Sequence, residues 1–194
     1  MWCVAAFGQN GRRNGLRRAL GPVAILLALL SGPSSAQQKP ESIEPFPGGA
    51  TAITETHGDW TVSCEAKVYG RSCVALQTLG TKESRQPILA IEAAARPLSA
   101  ANVLLTLPFG LDLRKGIELD LDGHVLASSV PFSGCTGRGC LVSIDLRPNE
   151  VQLLTRAKTL RLHASPAEDE KPLTFTISLA GFGSAFDRAR NLVN

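Results

Sequence analysis

The sequence predicts an all-β fold, an antiparallel β-sandwich with one short inserted helix and a C-terminal helix. Three observations carry this. Short apolar runs, several of them strictly alternating, recur between clusters of Gly, Pro, Asp and Ser. The pair Asp122-Gly123 lies between two such runs, IELDL and HVLASSV, and Asp-Gly suits a type I′ hairpin turn, whose two central residues need positive φ. Only two stretches change to a helical period, too few for the crossovers of a parallel sheet.

The elements follow in order. Asp59 to Cys64 alternates and puts Trp60, Val62 and Cys64 on one face. Cys73 to Thr78 follows a polar turn containing Tyr69, Gly70 and Arg71, and then come Pro87 to Ala94 and Asn102 to Leu107. The Asp-Gly hairpin occupies Ile117 to Val130, and Leu141 to Leu146 is the next strand. In Pro148 to Lys158 the residues Val151, Leu154 and Leu153 share a helical face, with Pro148 suited to a first turn. Alternation resumes in Thr159 to Ala164 and in Leu173 to Ala180. Phe182, Phe186, Ala189 and Val193 then line one side of a closing helix. The total is roughly eight or nine strands, spaced for hairpins.

The first 36 residues have the layout of a secretory signal peptide. Arg12, Arg13, Arg17 and Arg18 precede the apolar run Ala19 to Leu30, and Ser34 and Ala36 supply small residues before a cut at Gln37. The run is too short to span a membrane comfortably, so no transmembrane anchor is expected after cleavage. Residues 37–56, rich in Pro, Gly, Gln and Glu at their start, are expected to be a flexible N-terminal segment, and residues 57–194 the folded domain. Cleavage would also change the charge. The chain has 20 Lys and Arg against 17 Asp and Glu; the leader holds four Arg and no acid, which leaves a near-neutral protein. Such a balance carries no electrostatic signature for nucleic acid or anionic lipid.

Cys3 leaves with the leader, and Cys64, Cys73, Cys135 and Cys140 remain. An even number in an oxidising compartment reads as two disulfides. Chain entropy alone favours a long link such as Cys73–Cys135, worth about 4 kcal/mol against roughly 2–3 for a short loop. Proximity across a hairpin favours Cys64–Cys73 and Cys135–Cys140, and the local pairs are the expectation.

Catalytic and metal-binding groupings are not legible. His57, His124 and His163 are dispersed, and the C-x4-C pair Cys135/Cys140 has no second close Cys or His pair to complete a zinc site. That pair also lacks the C-x-x-C spacing at a helix start on which thiol redox catalysis depends. No G-x-S-x-G elbow is present; the nearest text, around Ser184, breaks the pattern. The acids Asp59, Glu118, Asp120 and Asp122 are scattered over strands and turns. The expectation is therefore no catalytic residue, no metal and no cofactor. Trp60 reads as core packing beside a disulfide, Phe132 as an inward anchor, and Phe182 and Phe186 as the docking face of the last helix. Thr136 and Arg138 are loop-tip contact candidates.

Five segments together resemble the invasion-associated locus B family of bacterial secreted proteins. They are GDWTVSC, CVALQT, LLTLPFGLDLRKGIEL, VPFSGCTGRGCLVSIDL and LTFTISLAGFGSAF, spread from Gly58 to Phe186. The G-D-W-x-V-x-C start, the L-P-x-G turn at Leu107 to Gly110, the P-F-x-x-C-x4-C segment and the late G-F are specific as a set. The resemblance implies an immunoglobulin-like β-sandwich, exported to the periplasm or medium, with outer-membrane association a further option. It implies a non-enzymatic protein that meets a protein or cell-surface partner of unknown identity during attachment to or entry into host cells. The alternative is a periplasmic envelope housekeeping or stress-tolerance protein with no role in invasion.

Overall fold

The computed structural model describes residues 43–80, 87–168 and 171–193. Eleven strands and two helices follow the chain as β1 (Ala52–His57), β2 (Trp60–Lys67), β3 (Gly70–Gly80), β4 (Pro87–Ala95), β5 (Ala101–Leu107), β6 (Ile117–Leu121), β7 (His124–Val130), β8 (Gly134–Thr136), β9 (Gly139–Leu146), α1 (Pro148–Arg156), β10 (Thr159–Ala164), β11 (Leu173–Ser178) and α2 (Phe182–Val193). Every pairing is antiparallel. A seven-stranded sheet runs β1-β2-β3-β4-β5-β9-β8, and a four-stranded sheet runs β11-β10-β6-β7. The antiparallel two-sheet fold with an inserted and a terminal helix is the architecture the sequence predicts.

Alternation explains the core. On β2, Trp60, Val62 and Cys64 are buried while Thr61, Ser63 and Glu65 are not, since successive strand side chains point to opposite faces. Register continues the apolar face sideways: Val62 pairs with Ala75, Ala75 with Ala93, Ala93 with Val103 and Val103 with Ile144. Two elements cover this face. Helix α2 lies against β2, β3 and β4 and buries Phe182, Ala185, Phe186, Ala189 and Leu192, an i, i+3, i+4, i+7 stripe. The four-stranded sheet and α1 cover the rest. Val103, Leu105, Ile144 and Leu146 converge there on Leu119, Leu126, Leu154 and Leu160.

The β1–β2 turn and the β11–α2 junction meet backbone to backbone. Asp59 N–H donates to Ala180 O at 3.0 Å. A Cβ on Gly181 would stand 1.9 Å from His57 O, and one on Gly58 2.6 Å from Ala180 O. Both glycines have positive φ, so any side chain would be strained as well as crowded. This contact seats Trp60 against Phe182, with ring centroids 4.8 Å apart. The Trp60 indole N–H donates to Ser178 O at 2.8 Å, and Gln77 Nε2 donates to Ser178 O and Asp59 O. These carbonyls need donors, so the buried Gln77 amide is oriented with its Oε1 inward, where it has no partner. At the other end of α2's reach, Arg188 grips Glu55 of β1 through two bonds of 2.7 and 2.8 Å.

The Asp-Gly turn has the predicted positive φ at both residues, 49° at Asp122 and 90° at Gly123. Asp122 also accepts the backbone N–H groups of Lys158 and Thr159, which ties the hairpin to the α1–β10 junction. Pro148 begins α1, and Glu150 reaches back to the Arg147 N–H at 2.7 Å, half of a capping box. Val151 and Leu154 face inward as expected, while Leu153 is largely exposed and α1 stops at Arg156.

Two differences from the sequence reading stand out. Residues 37–56 were expected to be flexible, yet Ala52–His57 form β1, paired along their length with β2. Just before it, Phe46 is buried, and Arg71 lies 5.4 Å over its ring while donating to Pro45 O at 2.8 Å. One buried aromatic and a strand pairing outweigh the Pro and Gly content around them. The second is that Gly134–Thr136 form a strand of their own, β8, on the near side of the expected Cys135/Cys140 hairpin. The expected signal segment 1–36 and residues 37–42 lie outside the described residues.

Two outcomes test this account. Gly181→Ala should lower unfolding free energy by at least about 3 kcal/mol in urea titrations. Gly110→Ala, also at positive φ but with open space around its Cβ position, should cost only about 1–2 kcal/mol; equal losses would refute the crossing contact. Arg188, through its hydrogen bonds, holds the Glu55 carboxyl at about 2, below its ordinary 4.5. A folded value below the unfolded one makes the pair stabilising above about pH 4.5, a contribution lost as pH falls toward 2. Glu55→Gln should therefore flatten the fall in melting temperature across that window.

Candidate functional site

Cys64 and Cys73 face each other across β2 and β3, with sulfurs 1.99 Å and Cα atoms 4.1 Å apart. Cys135 and Cys140 face each other across β8 and β9, with sulfurs 2.06 Å apart. Surroundings separate the two pairs. Cys64 and Cys73 are both buried, whereas Cys135 is exposed and its partner Cys140 is buried. Gly137 and Arg138 form the tip between them, and Thr136 and Arg138 are exposed there, with Arg138 N–H donating to Thr136 Oγ1 at 3.3 Å. Gly139 sits under the tip, where a Cβ would stand 2.3 Å from Leu107 O. Thus the C-x4-C hairpin is pressed onto the end of the L-P-x-G strand.

Polar chemistry gathers elsewhere, on the outer face of the four-stranded sheet. Along β10, Leu160, Leu162 and Ala164 are buried, which turns Arg161 and His163 outward. Register sets Arg161 opposite Asp120 and His163 between Glu118 and Thr174. Asp120 is nevertheless buried, because its neighbours close over it. Its carboxylate takes His163 Nε2 at 2.7 Å, Gly123 N–H at 2.9 Å and Arg161 Nε at 3.0 Å. The His163 bond, with those from Gly123 and Arg161, holds the Asp120 carboxyl below its ordinary range, against the upward push of burial. An ionised carboxylate only accepts, so His163 Nε2 donates to Asp120, while Nδ1 lies 3.0 Å from Thr174 Oγ1.

Carboxylate, imidazole and hydroxyl stand here in the order of a nucleophile relay. In such a relay the carboxylate stabilises the imidazolium, but here Arg161 already balances Asp120. The arrangement fixes the His163 ring more than it prepares a proton transfer. Beside it lies an open polar cavity of about 430 Å³, lined by Lys115, Glu118, Ser128, Ser129, His163 and Ser165 among others.

The remaining sequence candidates are structural. His57 leans on Glu55 at 3.5 Å, and His124 is an exposed residue beside the Asp-Gly turn. Trp60, Phe182 and Phe186 are buried, and Phe132 is half-buried against the core. No group of three His, Cys, Asp or Glu among the described residues is placed to hold a metal. No described helix is long and apolar enough to cross a membrane. The Asp120–His163–Thr174 cluster escaped the sequence reading. Its only signal was the outward phase of Asp120 in IELDL and His163 in TLRLHA, and nothing local says that β6 and β10 are neighbours.

The geometry defines a two-sheet antiparallel domain with two cysteine pairs at disulfide distance and a polar face on its smaller sheet. The profile of the Invasion associated locus B (IalB) protein family matches residues 60–190, and the chain belongs to that family. An Invasion protein B homolog of Brucella abortus strain 2308 is 34% identical over 147 residues, covering 76% of this chain and 84% of that protein. Invasion protein B of Bartonella bacilliformis is 27% identical over 176 residues, covering 88% of this chain and 94% of that protein. The crystal structure of invasion associated protein b from Bartonella henselae superposes with a TM-score of 0.67 at 26% identity, covering 72% of this chain and 96% of that one.

Accessibility orders the two disulfides. Thiol exchange needs a reachable sulfur, so limited reduction with dithiothreitol should open Cys135–Cys140 several-fold faster than Cys64–Cys73. Timed alkylation and peptide mass spectrometry read this directly; equal rates would refute the difference in exposure.

Proposed function

We propose that this protein is exported by cleavage of a signal peptide spanning residues 1–36. It then acts outside the cytoplasm as a non-enzymatic interaction protein in attachment to, or entry into, host cells. The observation that carries the reading is the family match across almost the whole described domain, with relatives named Invasion protein B. Two cysteine pairs within bonding distance support an oxidising destination. Both are proposed to be formed in the mature protein, as Cys64–Cys73 and Cys135–Cys140. Asp120, the buried acid of the outer polar face, is paired with its own neighbours, which favours a binding surface over a reactive centre. The partner is a protein or a cell-surface molecule, met in the periplasm, at the outer membrane or in the medium.

Cell fractionation together with host-cell adherence of a deletion strain and its complemented counterpart tests the reading. The protein should appear outside the cytoplasm without residues 1–36, and adherence should fall on deletion and return on complementation. A purely periplasmic protein whose loss leaves adherence unchanged would sink the invasion reading and leave envelope housekeeping in its place.

A further inference from the structure

We propose that the cavity on the outer face of the four-stranded sheet is a binding site for a short neutral oligosaccharide. This rests on the reading that the protein meets a partner outside the cytoplasm, and it says where on the molecule and with what chemistry. At about 430 Å³, the cavity falls in the range of small-ligand sites, roughly 300–1,000 Å³.

Its walls are built rather than incidental. One wall is β7, whose pairing with β6 is irregular between Ile117 and Asp120. In that wall Ser129 holds φ at 54°, a left-handed conformation that a serine keeps only when its surroundings impose it. The strand presses so closely that a Cβ on Gly116 would stand 2.6 Å from Val130 O. The opposite wall carries His163, whose ring is fixed from both sides by Asp120 and Thr174. The His163 ring and the Ser129 backbone are therefore set before any ligand arrives.

The chemistry of the lining selects the ligand. Lys115 donates, Glu118 accepts, and the hydroxyls of Ser128, Ser129 and Ser165 do both. Glu118 makes no hydrogen bond or ion pair among the described residues, which leaves its carboxylate free for a ligand's donors. A phosphate or sulfate group would lie beside that carboxylate, and an acyl chain would strand the serines unpaired. Sugar hydroxyls, each both donor and acceptor, can satisfy the whole set without bringing net charge. The exposed Pro172 adds a small apolar surface for a sugar's C–H face.

The test is an amide NMR titration of the purified exported protein with maltotriose, cellotriose and mannotriose. At least one should give saturable shifts at Gly116, Glu118, Ser129 and Ala164, with affinity in the millimolar range. Glu118→Gln should weaken it about tenfold. Ser129→Gly, which suits the positive φ and so keeps the fold, should weaken it by removing one hydroxyl. Absence of saturable shifts with all three sugars would overturn the proposal, as would shifts confined to other surfaces. Trialanine or inorganic phosphate binding in the cavity where the sugars do not would overturn it in favour of a charged ligand. Adherence of a gene-deletion strain separates this proposal from the broader reading. Sugar binding without any adherence defect on gene deletion would leave the site standing and sink the attachment role. A deletion defect without sugar binding would do the reverse.

Discussion

The close crossing of His57-Gly58 over Ala180-Gly181 is the constraint on which the rest of the fold depends. The seven-stranded sheet presents an inner face too wide for a four-stranded partner, so half of it needs another lid. Helix α2 supplies that lid, but an amphipathic helix at a chain end gains little by itself. Its position is set by where the chain leaves β11. With glycine on both sides, the two backbones approach until Asp59 N–H reaches Ala180 O. Phe182 then lands on Trp60, and Phe186 follows one turn later at 5.7 Å from Phe182. A methyl group at Gly181 would lift the helix from the sheet, and the buried apolar stripe of α2 would lose its cover.

The same principle recurs at the segments on which the sequence resemblance rests. Gly139, in the C-x4-C hairpin, lets that hairpin lie on Leu107 O, at the start of L-P-x-G. Cys64 and Cys73 stand at disulfide distance across β2 and β3, with Cys64 on the strand that carries Trp60. The glycines mark points where backbones nearly touch, the cysteines form close cross-strand pairs, and Trp60 and Phe182 pack in the core. Such positions tolerate few substitutions for reasons of packing alone, so the motifs identify the fold without marking where a partner binds.

Much of this architecture is legible in the sequence because its causes are local. Alternation gave the burial phase of β2 and β10, the Asp-Gly pair gave a turn with positive φ at both residues, and the period change gave both helices. The segment before His57 was misread because Pro47, Gly48 and Gly49 dominate its composition, while its order comes from Phe46 and from pairing with β2. Strand order was not legible either. That β9 sits beside β5, and β10 beside β6, depends on contacts between segments far apart in the chain. The polar face inherits that opacity, since it exists only where β6, β10 and β11 are neighbours.

That face also shows how turn chemistry can shape a surface. Asp120 lies two residues before Asp122, and its carboxylate accepts the Gly123 N–H exposed by the tight turn. The turn thus supplies one of the bonds that hold the acid. Arg161 and His163 of β10 complete the shell around the carboxylate. His163, fixed in this way, cannot swing to fill the space beside it. A rigid imidazole on one side and the bent β7 backbone at Ser129 on the other keep the cavity between them open. The cavity is thus a consequence of how the hairpin turns, and its polar lining follows from the outward phase of the same strands.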